Sequence, residues 1–389
     1  MSNIITPDIE QKADIIFKLN KDINDFIQSE TKIKSEFEKY INSSGANKNI
    51  YDFIFDKTID EGGKLIDIYL KKNPKLPADE KELLKEMKNA IKSVFEVRNI
   101  DKNGFELNSL LNENTYNVKS LIKMVNYRSI YRGSYLVCRI IPVKGEFYLH
   151  SLYDIIRQSN ALIAYRIAIA ELTENPSLAW LDNDKKLKEI EKNVVSLAPK
   201  FKEFFPEDIF ITDNNMLEGA LNVFDEYATE GKKETDIKQF LRKSDEYEYF
   251  DTTKAENASR LYDVGIMFDP ESGLQTVPFY ATFCRIFEVE DYKTVEGYKE
   301  CVKYFLNNNK ILPFVLKKVY ERYGDTFLQR MAEILKLKEK LDFDGLMNTY
   351  KKELLGKKNF SIPTVLYNSS AFNRFMELSM EATYAEMPA

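Results

Sequence analysis

The feature that most constrains the fold is a change in hydrophobic periodicity along the chain. Apolar residues recur every three or four positions through residues 8–42, as one long stretch, and again through 50–92, which predicts amphipathic helices. From Ser93 to about residue 150 the pattern becomes one of short β-type runs separated by turn residues. Helical spacing then returns for most of the remaining chain. This order predicts a small β module between two helical regions.

The β module is predicted to hold five short strands. Turn residues separate them at intervals near ten residues, as at Asp101–Gly104 and Val143–Glu146. Such spacing is typical of a small meander or of a barrel of the SH3 or OB kind. The sequence Ser151–Asp154 has the form of a capping box and predicts that helix resumes there. A second β-like island, Val264–Pro278, predicts a hairpin around a turn that contains glycine.

These patterns predict an α+β fold that is mainly α-helical. We divide the chain into an N-terminal helical region (1–92), a small barrel-like β module (93–150) and a C-terminal helical region with a short hairpin (151–389). The chain has only 14 Gly and 12 Pro among 389 residues, which fits long helices better than a loop-rich fold. Its hydrophobic fraction of 44% excludes an intrinsically disordered chain.

Two stretches resemble a known group of proteins. One is Tyr131–Pro142 in the β module, and the other is Met267–Leu274 in the predicted hairpin. Together they resemble uncharacterised bacterial proteins, some associated with the SEC-C metal-binding motif, that place a small β module between helical regions. The resemblance implies this architecture and no activity. The Cys-x-Cys sequence of that motif is missing near the C-terminus, so we expect no zinc site, and no cofactor is indicated.

The candidate functional surface is a basic, tyrosine-rich segment of the β module. Its candidate site residues are Lys123, Tyr127, Arg128, Tyr131, Arg132, Tyr135 and Arg139. Residues 91–150 hold nine Lys and Arg against five Asp and Glu, whereas the whole chain has a formal net charge of -6. Cations neutralise phosphates and tyrosine rings stack on unpaired bases, so nucleic acid is one possible ligand. Contact with a protein, or with the acidic helices of the same chain, is the alternative, because tyrosine also favours strands and long basic side chains lie along apolar surfaces.

The residues favour binding over catalysis. His150 is the only histidine, and a catalytic role would need a nucleophile and an orienting group beside it. The acidic cluster Asp245–Asp251 and the turn Asp269–Gly273 could hold a cation, but a solvated loop and turn chemistry explain them more simply. Phosphate-loop and hydrolase motifs are missing from the sequence. A carboxylate-dependent enzyme with an unidentified site is therefore the third function class.

The N-terminal helix is a second candidate contact surface. Its apolar stripe approaches a heptad, so it could pack within the chain, bind a partner or self-associate as a coiled coil. The cysteines Cys138, Cys284 and Cys301 lack close pairs, which indicates a reducing compartment. Neither a membrane span nor a secretory signal is predicted. We therefore expect a cytoplasmic binding or adaptor protein that does not enter a membrane, with nucleic-acid binding through the β module as the alternative.

Overall fold

The structure of the protein, a computed structural model, describes residues 7–43, 48–59, 63–205, 209–212, 214–230, 263–337 and 341–385. The chain divides into two compact units. Unit 1 comprises Met1–Ala170 and Asn373–Ala389, and unit 2 comprises Glu171–Phe372. Unit 2 is therefore inserted between two segments of unit 1.

Unit 1 begins with helices whose apolar residues recur at helical spacing. Their bounds are α1 Pro7–Ser29, α2 Thr31–Asn42, α3 Ile50–Phe55, α4 Leu65–Lys72 and α5 Ala78–Met87, and a ribbon of β1 Thr58–Ile59 and β2 Gly63–Lys64 lies between α3 and α4. The prediction of one helix over residues 8–42 is wrong, because the backbone at Glu30 is extended (φ −93°, ψ 103°) and separates α1 from α2. A helix needs helical dihedrals at every interior residue, so one extended residue divides it.

The apolar stripe of α1 is buried inside unit 1. Ile16, Leu19, Ile23 and Ile27 have no exposed surface, and they belong to one core with residues of α3, α4, α5 and the outer side of the β module. Each buried aliphatic side chain of this size contributes about 1.5–3 kcal/mol to folding. The stripe that could have formed a coiled coil is thus already covered by the chain itself.

The β module is a closed five-stranded barrel. Its strands are β3 Ile91–Ile100, β4 Gly104–Ser109, β5 Thr115–Ser120, β6 Tyr135–Val143 and β7 Glu146–Ile156. Their order around the barrel is β3-β4-β5-β7-β6, and β6 pairs with β3 to close it. The β5–β7 pair is parallel and the other four pairs are antiparallel. Because β7 lies between β5 and β6, the module is no meander but a Greek-key barrel of the OB kind.

The last strand of the barrel is longer than the sequence indicates. The prediction that helix resumes at the capping box Ser151–Asp154 is wrong, because these residues continue β7 as far as Ile156. Ser151 pairs with Arg139 and Ile156 pairs with Tyr135 on β6. Cross-strand hydrogen bonds with β6 satisfy the backbone groups here, and this non-local pairing outweighs a local capping preference.

Apolar side chains fill the inside of the barrel. Phe95, Leu107, Leu136, Cys138 and Ile140 have no exposed surface and form one core. Three further residues of this core come from outside the strands. A short 3-10 helix, Met124–Tyr127, lies in the β5–β6 connection and packs Met124 and Tyr127 against the core, and Ile130 follows in the same connection. The β5–β6 connection therefore contributes to the core of the barrel.

Unit 2 combines helices with a small antiparallel sheet in the order β10-β9-β8. The sheet strands are β8 Ile209–Thr212, β9 Val264–Asp269 and β10 Gly273–Pro278. The later helices of the chain are α6 Ala161–Glu174, α7 Asp184–Phe204, α8 Asn214–Glu230, α9 Tyr280–Glu288, α10 Tyr298–Asn307, α11 Pro313–Tyr323, α12 Asp325–Leu335, α13 Phe343–Tyr350, α14 Ile362–Tyr367 and α15 Ser370–Ala385. The predicted hairpin is confirmed, with Gly273 opposite Asp269 at a positive φ of 84°. A helix predicted over residues 233–243 lies outside the described residues.

The predicted fold class is confirmed, since the protein is mainly helical with a small closed barrel and a separate short sheet. Among the helices that the structure describes, none is both long enough and apolar enough to cross a membrane.

Candidate functional site: a basic loop at one end of the barrel

The connection between β5 and β6, residues 121–134, lies at the end of the barrel where β3 and β7 also finish. Two backbone hydrogen bonds tie it there: the Ser120 amide donates to the Asn103 carbonyl at 2.8 Å, and the Gly133 amide donates to the Val97 carbonyl at 2.8 Å. The first links the start of the connection to the β3–β4 turn, and the second links its end to β3. The loop is therefore held by the barrel at both ends.

Apolar residues fix the middle of this loop. Ile130 is buried in the barrel core, and the ring of Tyr127 packs edge-on against Phe105 with 5.4 Å between ring centroids. Burial raises the pKa of Tyr127, which fits a phenol that stays neutral in an apolar setting. Because these side chains point into the barrel, the polar residues between them point outward.

The loop ends in a tight turn, Tyr131–Ser134. The Ser134 amide donates to the Tyr131 carbonyl at 3.0 Å, and the Ser134 hydroxyl accepts from the Tyr131 amide at 3.2 Å. Gly133 has a φ of +83°, as the third residue of a type II turn requires. Ser134 is buried, so this pair of hydrogen bonds is shielded from water. The backbone that carries Tyr131 and Arg132 is thus fixed.

Among the exposed residues of this loop are three cations and a tyrosine, and we call these four the basic rim: Lys123, Arg128, Tyr131 and Arg132. Tyr131 is 66% exposed. Within the described part of the chain, none of the three cations has an ion-pair partner. The surrounding sequence offers none either, because residues 114–145 contain six Lys and Arg and no Asp or Glu. The basic rim is therefore a local concentration of uncompensated positive charge.

Arg139, the last of the predicted site residues, lies elsewhere. It has no exposed surface, and its guanidinium donates to Asp52 at 2.9 Å, to Asp56 at 3.0 Å and to the hydroxyl of Tyr153 at 3.2 Å. It also lies over the ring of Phe55, 4.9 Å from the centroid. Burial lowers the pKa of Arg139, but the hydrogen bonds and charge of Asp56 outweigh it and leave the pKa above its usual value. Helix α3 thus neutralises this cation.

Tyr135 is likewise buried inside unit 1. It is 6% exposed, and its ring packs edge-on against Tyr165 with 5.7 Å between centroids. Burial raises the pKa of the Tyr135 phenol. Of the seven predicted site residues, the structure brings four together on the basic rim and places Tyr127, Tyr135 and Arg139 in packed positions.

The histidine and cysteine of the barrel do not form a catalytic pair. Cys138 belongs to the barrel core, whereas His150 lies outside the barrel wall, with Nε2 2.9 Å from the Asn20 amide nitrogen of α1 and edge-on to Tyr51 and Phe55 of α3. Burial, and then the charge of Arg139, lower the pKa of His150 to about 3. Burial raises the pKa of the Cys138 thiol, which makes it a poor nucleophile.

The outward face of β4 and β5, which OB barrels commonly use for ligands, is different in character. Its side chains are Glu106, Asn108, Thr115, Asn117 and Lys119. Lys119 forms an ion pair with Glu146, and this contact is the main cause that lowers the pKa of Glu146 to about 2. The face offers neither an aromatic ring nor a cation without a partner.

The sequence-predicted cation sites gain no support from the geometry. In the Asp269–Gly273 turn the Asp269 carboxylate accepts from the amides of Glu271 at 3.2 Å and Ser272 at 2.8 Å, so it serves the turn itself. The cluster Asp245–Asp251 lies outside the described residues. Among those that are described, no group of three or more His, Cys, Asp or Glu could hold a metal ion.

Comparison with known proteins places the barrel within a recurring sequence region. Residues 10–161 match the model of a family of unknown function, DUF7986. The matched region begins in α1 and ends at the start of α6, so it includes the N-terminal helices, the whole barrel and the basic rim. No curated protein and no solved structure matches the chain.

Proposed function

We propose that the protein is a nucleic-acid-binding protein and that the basic rim is its contact surface. The observation that carries this proposal is the presence, on one loop, of three exposed cations without carboxylate partners and an exposed tyrosine on a fixed turn. Lysine and arginine release condensed counterions when they neutralise phosphates, and this release is the main source of affinity for a nucleic-acid backbone. The barrel topology supports the proposal, because OB barrels recur among oligonucleotide-binding proteins.

The charge distribution favours contact at the rim over contact elsewhere. The chain has a net charge of -6, so the protein as a whole repels a polyanion, and binding one needs a local basic segment. Residues 114–145 form an exception, since all of their charged side chains are basic. Arg139 is excluded from this role because Asp52 and Asp56 already neutralise it. The ligand would therefore meet Lys123, Arg128 and Arg132.

The other binding surface suggested by the sequence has less support. A partner helix or a second copy would need the apolar stripe of α1, but that stripe is buried in the core of unit 1. A protein adaptor would therefore have to use another surface. Catalysis has little support, since Cys138 is buried in the barrel core whereas the half-buried His150 contacts α1 and α3 outside the barrel wall.

The proposal is tested by binding to fluorescein-labelled oligonucleotides of roughly 20 nucleotides, which is longer than the usual site of one OB barrel. We expect the wild-type protein to bind at low salt, with affinity falling linearly on a log–log plot against salt. In the variant Lys123→Ala/Arg128→Ala/Arg132→Ala, the slope for single strands should fall by about two, at about 0.7 per lost phosphate contact.

A matched control is available in α7. Lys185, Lys188 and Lys192 are exposed, and replacing all three with alanine removes the same positive charge from a different surface. This control variant should bind like the wild-type protein. If the wild-type protein binds no oligonucleotide at low salt, or if both triple variants lose binding equally, the basic rim is not a nucleic-acid site.

We propose the bacterial cytoplasm as the location of this activity. The three cysteines, Cys138, Cys284 and Cys301, are buried free thiols, as expected for a reducing compartment. The resemblance to bacterial proteins associated with the SEC-C motif supports the same location. Cell fractionation with an antibody against the protein checks it.

A further inference from the structure

We infer that the basic rim selects unpaired nucleotides, because one base stacks on the ring of Tyr131. This inference rests on the proposed function and adds a ligand class and a residue that recognises it. Three observations carry it: the free ring of Tyr131, the fixed turn beneath it, and the cations that precede and follow it in the loop.

The ring of Tyr131 has no partner of its own. Tyr131 is 66% exposed, and within the described residues its ring takes part in no ring pair and its hydroxyl makes no hydrogen bond. The neighbouring tyrosines are different: Tyr127 packs on Phe105 and Tyr135 packs on Tyr165. Tyr131 therefore offers an exposed, unpaired aromatic ring to a ligand, whereas the two others are held by packing.

The turn beneath Tyr131 prepares the ring for binding. Its backbone amide and carbonyl are both hydrogen-bonded to Ser134, and Ile130, the preceding residue, is buried in the barrel core. The main chain therefore loses little conformational freedom when a ligand binds, and only the side-chain torsions of Tyr131 remain to be ordered. Such preorganisation converts more of the contact energy into affinity.

The neighbours of Tyr131 fit a single strand. Arg132 follows it directly in the same turn and Arg128 precedes it by three residues, so both cations are close to Tyr131 in sequence. In single-stranded binding sites an aromatic platform carries the base while basic residues follow the phosphates. A duplex hides its base faces in its own stack. A duplex can therefore use the cations of the rim, but it cannot use the ring.

The experiment compares three polyanions against the wild-type protein, Tyr131→Ala and Tyr131→Phe. The probes are oligo(dT), a duplex of the same length, and inorganic polyphosphate as a competitor with a similar number of charges. For the wild-type protein we expect oligo(dT) to bind most tightly. Tyr131→Ala should weaken oligo(dT) binding by roughly tenfold, since the stacking of one base strengthens binding by about ten- to hundredfold.

The controls separate stacking from charge. Tyr131→Phe keeps the ring and should retain oligo(dT) affinity, and Tyr131→Ala should leave duplex and polyphosphate binding unchanged. If Tyr131→Ala binds oligo(dT) as tightly as the wild-type protein, or if polyphosphate competes as well as oligo(dT), stacking is excluded while charge-driven binding by the rim stands. If none of the polyanions binds the wild-type protein, the proposed function itself fails, and the inference fails with it.

Discussion

The basic rim and the surroundings of Arg139 both contain arginine and tyrosine side chains, but those of the rim are exposed and those near Arg139 are packed and paired. On the rim, Arg128 and Arg132 are exposed and lack acidic partners in the described chain. On the outer side of the barrel wall, Arg139 is held by Asp52, Asp56 and Tyr153. The difference shows that a basic side chain on this barrel is available to a ligand only where the N-terminal helices leave the barrel uncovered.

Helix α3 is responsible for the difference. Asp52 lies in its first turn and Asp56 directly follows the helix, four residues later, so both carboxylates reach the same guanidinium. Phe53, Ile54 and Phe55 between them are buried in the core of unit 1, which anchors the helix against the barrel. The Arg139 contacts therefore belong to a permanent internal interface, whereas the rim is available for intermolecular contact.

The largest expected difference between the two regions is in how much each arginine contributes to the free energy of unfolding. Arg139→Ala leaves the buried carboxylate of Asp52 without its main cation, and such losses cost about 3–5 kcal/mol. Arg132→Ala, on the rim, should change the free energy of unfolding by no more than about 0.5 kcal/mol. Urea denaturation followed by circular dichroism measures both variants. Equal effects of the two would show that the buried arginine has no special structural role.

The next effect is a pH dependence at the same internal interface. The pKa of His150 is about 3 in the folded protein against 6.5 for the ordinary side chain, so the unfolded chain takes up a proton first as pH falls. The contribution of neutral His150 to stability is complete above pH 6.5 and is lost progressively as pH falls toward 3. The free energy of unfolding should therefore decrease by up to about 1.4 kcal/mol per pH unit in that window.

His150 is the only histidine, so its variant isolates this slope. His150→Gln should be less dependent on pH between about pH 5 and 6.5, a range above the ordinary pKa of carboxylates. Urea denaturation of both proteins across this range gives the slopes. A wild-type slope that survives in His150→Gln would assign the proton uptake to another group.

The smallest effect concerns the turn of the rim. Gly133→Ala puts a side chain at a φ of +83° and should cost about 1–2 kcal/mol of stability. Gly145→Ala, in the β6–β7 turn at a φ of +77°, carries the same backbone strain away from Tyr131. It should cost no more than Gly133→Ala, because its new methyl group meets open space, whereas a methyl group at Gly133 would also lie 3.0 Å from the side chain of Gln158. Only Gly133→Ala should also weaken oligonucleotide binding, measured by fluorescence anisotropy. Equal binding by both variants would mean that the turn does not position the ligand contacts.

The sequence predicts the barrel well because its strands are local patterns. Alternating apolar residues and turn residues are properties of short segments, and the five strands lie close to where these patterns place them. The order of the strands is not a local property, since the parallel pairing of β5 with β7 joins segments that other strands separate. Ser151–Asp154 shows the same limit, because pairing with β6 overrides its local capping pattern.

The candidate site was predictable only in part for the same reason. Lys123, Arg128 and Arg132 are recognisable as a basic segment without acidic neighbours. Arg139 belongs to that segment by sequence, but its partners Asp52 and Asp56 lie 87 and 83 residues away. Tyr131 and Tyr135 are similarly indistinguishable by residue type, and burial against Tyr165 separates them. Long-range packing decides which of these side chains a ligand could reach.

The insertion of unit 2 into unit 1 has a consequence for biosynthesis. Met1–Ala170 leaves the ribosome first, and Asn373–Ala389, which completes the same unit, follows only after the intervening Glu171–Phe372 has been made. Domains generally begin to fold from the N-terminus during translation. The barrel can therefore form early on the nascent chain, while its unit waits for more than half of the polypeptide to be translated before its final segment arrives.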